Sequence, residues 1–397
     1  MEGVIVKKEL WLPKSKCTGC GACENACPRD AIKIKLHSDG HLYPTVSESC
    51  VRCNKCEEVC RMRLEIPQRT SEHPTIHAAW TEDADLRFTS TSGGAFGELS
   101  KVILSRGGVA YGALYDRNCV VRHACADDFD SLAHLRQSKY VQSEIGLVYR
   151  DVEEKLAEGY EVIFCGAPCQ IAGLRAYLGK EYESLYLADF VCLGVNSPKA
   201  YAAWLDELEQ RQGSRGTRVW FKYKDGGWKT SPKRTRIDFE DGCFIVQDGP
   251  ENHYMSGYID LNLYLRPSCS SCDFRGFPRQ GDITMADFWG LDDTLDDDKG
   301  ASMVMVNSPK GERLFTEAAC NMRCEERSFD EIFAGNPRIN KNPKPNRKSQ
   351  LFLDALDSMG FEAAYAQYGR PSFGKFVCRK LHAVKRRIKR LLDSGVE

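Results

Sequence analysis

The sequence predicts a chain of mixed α+β and α/β class: a small cysteine-rich N-terminal unit, a larger mixed α/β body and a C-terminal basic helix. Three observations predict it. Two runs of cysteine crowd the first sixty residues, apolar runs alternate with helix-period segments from Ile76 to Glu209, and an amphipathic stretch rich in Lys and Arg lies near the end. With 397 residues the chain is long enough for two or three domains and a separate hydrophobic core. The expected division is 1–70, 75–215 and 216–340, with 341–397 as a linker and basic amphipathic tail.

The N-terminal unit is defined by spacing. Cys17-x2-Cys20-x2-Cys23-x3-Cys27, followed by Pro28, is echoed by Cys50-x2-Cys53-x2-Cys56-x3-Cys60. This is the run of a bacterial-type ferredoxin with two 4Fe-4S clusters, in which the fourth cysteine of each run crosses to the other cluster. Cys17, Cys20, Cys23 and Cys60 are expected on one cluster, and Cys50, Cys53, Cys56 and Cys27 on its neighbour. Gly19 and Gly21 let backbone N–H groups turn toward the sulfurs, and Pro28 ends the local helix. Arg61 stands where a second proline would. Zinc normally takes four ligands in two pairs, and a disulfide framework belongs to secreted chains, whereas nothing before Cys17 resembles a signal peptide. Single-electron transfer is the chemistry this ferredoxin-like unit implies.

Fifty-five basic and 56 acidic residues give a formal net charge of −1, so no global field draws the chain to nucleic acid. Nineteen cysteines without an export signal, and no apolar run near eighteen residues, point to the reducing cytoplasm.

Arg61 to Pro74 is polar with two prolines and reads as a linker. Strands are expected at Ile76–Trp80, Val109–Tyr115, Glu161–Cys165 and Leu185–Val191. Helices are expected at Phe96–Leu104, Glu144–Ala157, Pro168–Tyr177 and Pro198–Glu209. Beyond Gly216, Val219–Tyr223 and Ile237–Phe244, with turns at Gly226-Gly227 and Asp241-Gly242, read as antiparallel strands within a mixed sheet. Asn336 to Ser349, crowded with Asn, Pro, Lys and Arg, reads as the exit from the body.

Four of the eleven later cysteines sit where a spectator thiol would be odd. Cys169 opens a helix at the strand-to-helix turn Gly166-Ala167-Pro168-Cys169-Gln170, where a thiolate is stabilised. Cys192 ends the next strand, and consecutive strand ends of an α/β sheet open onto one crevice. Cys269 and Cys272 form a C-x2-C beside Pro267 and Asp273. Spacing alone leaves a third 4Fe-4S cluster, zinc and unrelated thiols all open. Cys165, inside an apolar strand, reads as a small buried hydrophobe. Ser90 to Phe96 (STSGGAF) precedes a helix and suits either a phosphate or flavin edge or a plain N-cap. Ser138 to Ser143 reads equally well as a solvated turn.

Thr91-Ser92-Gly93-Gly94, Ser138 to Ser143, Gly166 to Leu174 (GAPCQIAGL), Cys192 to Pro198 (CLGVNSP) and Cys269 to Gly290 (CSSCDFRGFPRQGDITMADFWG) follow one another in an order that resembles the coenzyme F420 hydrogenase/dehydrogenase beta-subunit family. The likeness spans roughly Cys17 to Asn340. It makes 75–215 similar to the family's N-terminal domain and 216–340 similar to its C-terminal domain. The resemblance implies a flavin-binding body, FAD, and an oxidoreductase that exchanges electrons between iron–sulfur clusters and the flavin, with hydride moving to or from an organic acceptor such as a deazaflavin. It marks Ser92, Gly93, Gly94, Lys139, Gln142 and Ser143 as similar to the family's flavin-contacting segments, and Cys169, Cys192, Cys269 and Cys272 as similar to its core cluster ligands. Lys139 is the residue expected to act catalytically, because a cation at the flavin N1/C2 carbonyl edge stabilises the reduced ring; a solvated surface lysine is the plainer alternative. The family's Cys-His-Gly is Cys192-Leu193-Gly194 here, and its Gly-Asp-x-Trp is Ala286-Asp287-Phe288-Trp289. The imidazole's role as proton donor is therefore lost, leaving Asp287 to replace it or to pair with an arginine. Expected partners are a redox protein (ferredoxin, or a hydrogenase or dehydrogenase subunit) and an organic hydride acceptor. The competing function is an electron-transfer subunit that serves a partner enzyme and has no small substrate of its own.

Between Phe373 and Leu392 eight Lys/Arg and no acids surround Val377, Leu381, Val384, Ile388 and Leu391, spaced four, three, four and three apart. Burying each apolar side chain is worth ~1.5–3 kcal/mol, and each basic residue at an anionic membrane ~1 kcal/mol. Docking on protein and peripheral membrane contact are therefore both open to this tail.

Overall fold

Apolar runs in the middle of the chain are buried on both faces and become a parallel core, as expected of strands flanked by helices. The computed structural model describes residues 12–62 and 74–369. Most of the Arg61 to Pro74 linker and the whole basic stretch from Phe373 to Leu392 lie outside the described residues.

The N-terminal unit holds one antiparallel hairpin, β1 (Ile32–Leu36) and β2 (Leu42–Val46), flanked by the two cysteine loops and their short helices Ala22–Asn25 and Lys55–Glu58. The body is built on β3 (Thr75–Thr81), β4 (Val109–Tyr115), β5 (Val121–Ala126), β6 (Val162–Cys165) and β7 (Leu185–Phe190). A second set follows: β8 (Gly216–Phe221), β9 (Thr235–Phe239), β10 (Phe244–Gln247), β11 (Ile283–Asp287), β12 (Ser302–Val306) and β13 (Met322–Glu326). Eight of these form one sheet in the order β13-β3-β12-β11-β7-β6-β4-β5. Strands β4, β6, β7 and β11 run parallel to their neighbours in that series, while β5, β12, β3 and β13 pair antiparallel. The sheet thus draws strands from both sides of residue 216.

Two expectations are corrected. The Gly216–Gln247 region is not part of a mixed sheet but a separate three-stranded antiparallel one, in the order β10-β9-β8. The mixed sheet lies in the body instead. Residues 349–368, placed with the linker and tail, form a helix, Ser349–Tyr368, broken at Gly360 (φ 76°) and packed into the core. The cause is an apolar stripe of Phe352, Leu353, Leu356 and Phe361, which buries against Trp204, Tyr254 and Tyr264. The helix expected from Glu144 begins at Val148, because the Glu144 backbone instead bridges β5 through Val121 and His123.

Candidate functional site

The N-terminal unit is clasped by the body through its own backbone. Tyr149 Oη donates to Cys20 O at 2.7 Å and to Gln170 O at 2.8 Å. Arg150 donates to Asn25 O and Cys27 O, each at 2.7 Å, Arg266 Nε to Cys17 O at 2.8 Å and Ser197 Oγ to Gly40 O at 2.6 Å. Gly19 (φ 67°) and Gly21 (φ 83°) serve this contact as well as the local turn. A β-carbon at Gly19 would stand 2.5 Å from Gln142 Nε2, and one at Gly21 2.9 Å from Ile145.

The crossed arrangement of thiols is visible in their mutual electrostatics. Burial pushes the Cys20 thiol up to about 11, with the sulfurs of Cys17 and Cys60 adding to the shift. Cys23 is raised further, again first by burial and then by Cys20, Cys17 and Cys60. The structure therefore brings Cys17, Cys20, Cys23 and Cys60 together. Arg61, in the place of the second proline, is buried near Cys20. Cys27 and Cys56 share one small apolar cluster with Cys50 packed against it, and Cys53 is exposed at the rim. The Cys27 sulfur accepts the Ala31 N–H at 3.2 Å.

The four core cysteines, from three distant segments, also meet. The helix Pro168–Leu178 starts on a proline that needs no N–H partner; Gln170 Oε1 accepts the Ala167 N–H at 2.9 Å, which sets Cys169 in the first turn. Burial raises the Cys169 thiol, and the sulfurs of Cys272, Cys192, Cys269 and Cys20 raise it further. Cys169 thus touches the fields of its own quartet and of the N-terminal one. Burial and Cys192 hold Cys269 up to about 12. All four thiols line one pocket with Thr18 and the guanidinium groups of Arg266, Arg275, Arg279 and Arg338.

This chemistry fits four-iron clusters. None of the described cysteines is in a disulfide. Thiols raised by burial and by one another ionise when a metal takes their protons' place, and a four-thiolate cluster is anionic, which suits the arginine lining. Among the described residues no three Cys, His, Asp or Glu side chains converge closely enough to hold a single metal ion. A four-iron cube spreads its ligands more widely than one zinc ion does.

The flavin candidates divide. Thr91 Oγ1 donates to Ser138 Oγ at 3.1 Å and accepts the Ser138 N–H at 2.6 Å, joining the two candidate loops. Ser92 Oγ and the Gly93 N–H both meet Ser302 Oγ at 3.0 Å. A β-carbon at Gly93 would lie 2.2 Å from Ala79 O, so its glycine serves close packing on β3. Gly94 (φ 91°) caps the helix Ala95–Ser105. Lys139 Nζ donates to the carbonyls of His134, Leu135 and Arg136 at 3.0, 3.2 and 2.7 Å. Burial, with Arg218 and Arg136, pushes it down to about 7, against the three carbonyls, which favour the ammonium. Gln142 turns away, toward Thr18 O at 3.4 Å and Arg266 Nη1 at 2.8 Å. Ser143 Oγ meets His123 Nδ1 at 2.7 Å, and His123 Nε2 meets Cys165 O at 3.1 Å. Ser92, Gly93, Gly94 and Lys139 thus lie on loops joined at the end of the sheet, while Gln142 belongs to the contact between the cysteine quartets. A flavin fits the joined loops only through donors other than the Ser92 hydroxyl and the Gly93 N–H, which are taken. Lys139 fits it better, being a half-buried cation bonded only to carbonyls.

The sequence reading missed several residues. Asp287 pairs not with an arginine but with Lys222 Nζ at 3.4 Å. Lys222 is buried, has φ 63°, and lies over the stacked rings of Trp228 and Trp289, 4.7 and 4.2 Å from their centroids. No motif marks it. Arg266, three residues before Cys269, and Tyr149 were equally silent.

Residues 159–332 match the family described as the C terminus of the coenzyme F420 hydrogenase/dehydrogenase beta subunit, and residues 16–64 match the 4Fe-4S dicluster domain. The chain is 39% identical over 54 residues to a ferredoxin-like protein in the nif region of Sinorhizobium fredii, covering 12% of this chain and 78% of that protein. It is 33% identical over 63 residues to the I 2 subunit of NADH-quinone oxidoreductase from Symbiobacterium thermophilum, covering 14% and 26%. Over 56 residues it is 34% identical to the alpha 1 subunit of the acetyl-CoA decarbonylase/synthase complex of Methanosarcina mazei, covering 13% and 7%. The match thus spans a small part of these last two relatives. A chain of the xenon-derivatised F420-reducing [NiFe] hydrogenase complex from Methanosarcina barkeri aligns with a TM-score of 0.45 at 16% identity, over 73% of this chain and 91% of that one. No helix among the described residues is long and apolar enough to cross a membrane.

Proposed function

We propose that this chain, which belongs through residues 159–332 to the family of coenzyme F420 hydrogenase/dehydrogenase beta subunits and through 16–64 to the 4Fe-4S dicluster family, is an iron–sulfur flavoprotein oxidoreductase with an organic hydride acceptor. Cys17, Cys20, Cys23 and Cys60 would hold one cluster, Cys50, Cys53, Cys56 and Cys27 a second, and Cys169, Cys192, Cys269 and Cys272 a third. The Thr91–Gly94 and Ser138–Lys139 loops would hold FAD. Bound clusters supply one-electron exchange, and a bound flavin converts it to hydride chemistry.

The observation that carries this reading is the nearness of Cys20 to Cys169, which joins a quartet of the N-terminal unit to a quartet inside the body. Tyr149 fixes that approach by bonding the carbonyls of Cys20 and Gln170 with one hydroxyl. The four arginines around the core pocket offset thiolate charge in a buried setting. Lys139 is bonded to three backbone carbonyls and, among the described residues, to no carboxylate. Asp287, ion-paired with Lys222 Nζ, would be the stand-in for the candidate proton donor of the family's Cys-His-Gly. The exposed Cys53 rim offers a redox protein its approach to the outer quartet.

The test is anaerobic purification with counts of iron, acid-labile sulfide and extracted flavin. About twelve irons and one FAD per chain are expected, as three four-iron clusters require. Cys169→Ser should remove about four irons and leave the N-terminal eight. Colourless, iron-poor material would refute the assignment. Turnover of a diffusible acceptor by the reduced chain alone separates this enzyme from a subunit that only relays electrons to a partner protein.

A further inference from the structure

Arg266 is 1% exposed, among the most buried large side chains of the protein. Its Nε donates to Cys17 O at 2.8 Å and its Nη1 to Gln142 Oε1 at 2.8 Å, while Nη2 is buried without a hydrogen-bond partner. Its guanidinium lies 4.3 Å from the centroid of the Tyr43 ring. Among the described residues it forms no ion pair with a carboxylate. An uncompensated buried cation is costly, and such charges are retained where a partner of opposite sign is present. Among the described residues the cysteines of the two quartets are the groups able to supply that sign that it meets most directly, and Asp39 acts on its neighbours Tyr43 and His41 without bonding to it. It bonds the backbone of Cys17, lines the core pocket with Cys169, Cys192, Cys269 and Cys272, and acts on the Cys269 thiol by opposing its rise. Tyr43 Oη, His41 Nδ1 and Ser268 Oγ are also buried without hydrogen-bond partners.

We infer that Arg266 is a redox-tuning residue shared by the Cys17–Cys20–Cys23–Cys60 quartet and the core quartet: its fixed charge stabilises the more negative, reduced state of the clusters on either side. The inference rests on both quartets holding clusters. Reduction adds one negative charge to a cluster, and Coulomb attraction to a nearby cation is strongest where water is excluded. Guanidinium does not deprotonate in proteins, so the effect is constant with pH. Because Arg266 is buried between the quartets, salt screens it little.

The experiment is a dye-mediated redox titration followed by EPR on the whole anaerobic protein, comparing wild type with Arg266→Met, Arg266→Lys and Gln142→Glu, each with iron and flavin counts. Arg266→Met should shift the equilibrium of the neighbouring clusters at least tenfold toward the oxidised state, about 59 mV for a one-electron couple. Arg266→Lys, which keeps the charge, should recover most of that shift. Gln142→Glu sets a carboxylate against Nη1 and neutralises the guanidinium without removing it, so it should shift the clusters in the same direction. If Arg266→Met fails to keep its iron, Gln142→Glu decides the matter. Unchanged potentials in a variant with full iron, or a Lys variant no better than Met, would overturn the inference. A wild-type chain with eight irons would instead overturn the third cluster, and is read from the iron count alone.

Discussion

Gly173 offers a test of how tightly the two halves of the proposed redox chain are joined. It lies four residues after Cys169 on the Pro168–Leu178 helix, and so on the same helix face. A β-carbon there would stand 3.0 Å from both Cβ and Sγ of Cys20 and 3.2 Å from Tyr149 Oη. Two effects then oppose each other. Replacing an interior helical glycine by alanine is worth about 1 kcal/mol in helix propensity. Adding a carbon to a filled interface costs about 1–3 kcal/mol. Cys20 cannot swing aside while it binds a cluster, so the steric cost should equal or exceed the gain. Gly173→Ala is therefore expected to be between neutral and about 2 kcal/mol less stable, with Gly173→Val worse still and the EPR signal of the first quartet perturbed in both. Anaerobic denaturant titration, read by circular dichroism and cluster absorbance, measures it. An alanine variant stabilised by about 1 kcal/mol, with unchanged cluster spectra, would show that propensity alone is at work and that the helix does not press on Cys20.

Two further substitutions probe the surroundings. Asp189, 0% exposed at the end of β7, accepts from Arg279 Nη2 at 2.8 Å, Thr284 Oγ1 at 2.6 Å and the N–H groups of Gln280 and Gly281 at 3.2 and 3.0 Å. Asp189→Ala removes the buried acceptor shared by Arg279, Thr284 and two backbone N–H groups and should cost about 3–5 kcal/mol in a denaturation assay; a loss under 1 kcal/mol would contradict the buried pair. His123 is held down to about 4 by burial. The unfolded chain, titrating near 6.5, then binds a proton between about pH 4 and 6.5 that the folded chain refuses, so stability falls as pH drops through that window and is flat above it. His123→Gln should remove a slope of up to about 1.4 kcal/mol per pH unit from the wild-type profile, and identical profiles would place the acid sensitivity elsewhere.

What could be read from the sequence follows from how locally each feature is encoded. The eight N-terminal cysteines were legible because both quartets fall within 44 residues of chain, at spacings that themselves define the ligand geometry. The parallel strands were legible because Val162–Cys165 and Leu185–Phe190 are short apolar runs between helices with clear caps. The core quartet needed the resemblance, since Cys169, Cys192 and Cys269 are united only by the ends of β6 and β7 and a distant loop. The sheet order was not legible at all. β3 pairs with β12 and β13, more than 200 residues away, and no local pattern specifies such a partner. The Ser349–Tyr368 helix was hidden by the Pro- and Asn-rich segment before it, which looks like an exit but is a turn back onto the core. Lys222 was invisible for another reason: its place depends on Trp228 and on Asp287 and Trp289, which come from a distant segment.

The contact between the N-terminal unit and the body has a polarity that bears on function. In Tyr149, Arg150, Arg266, Gln142 and Ser197 the body supplies the donors, and the unit supplies backbone carbonyls at Cys17, Thr18, Cys20, Asn25, Cys27 and Gly40. Carbonyls of cluster-binding loops point their negative ends away from the loop when they accept such bonds, which leaves the loop N–H groups free to face sulfur, as Ala31 does toward Cys27. Each bond adds about 0.5–1.5 kcal/mol, and side chains of the unit add to them: Asn25 Nδ2 donates to Gly146 O at 2.8 Å and Asp30 pairs with Arg150 at 2.9 Å. On the proposed function, electron transfer between the quartets needs a fixed separation rather than a chance encounter. Tyr149 and Arg150 on the Val148–Ala157 helix, and Arg266 in the lining of the core pocket, are the donors that set that separation. The ferredoxin-like unit is in this sense a built-in part of the body, and on the proposed function a redox partner would approach at the exposed Cys53.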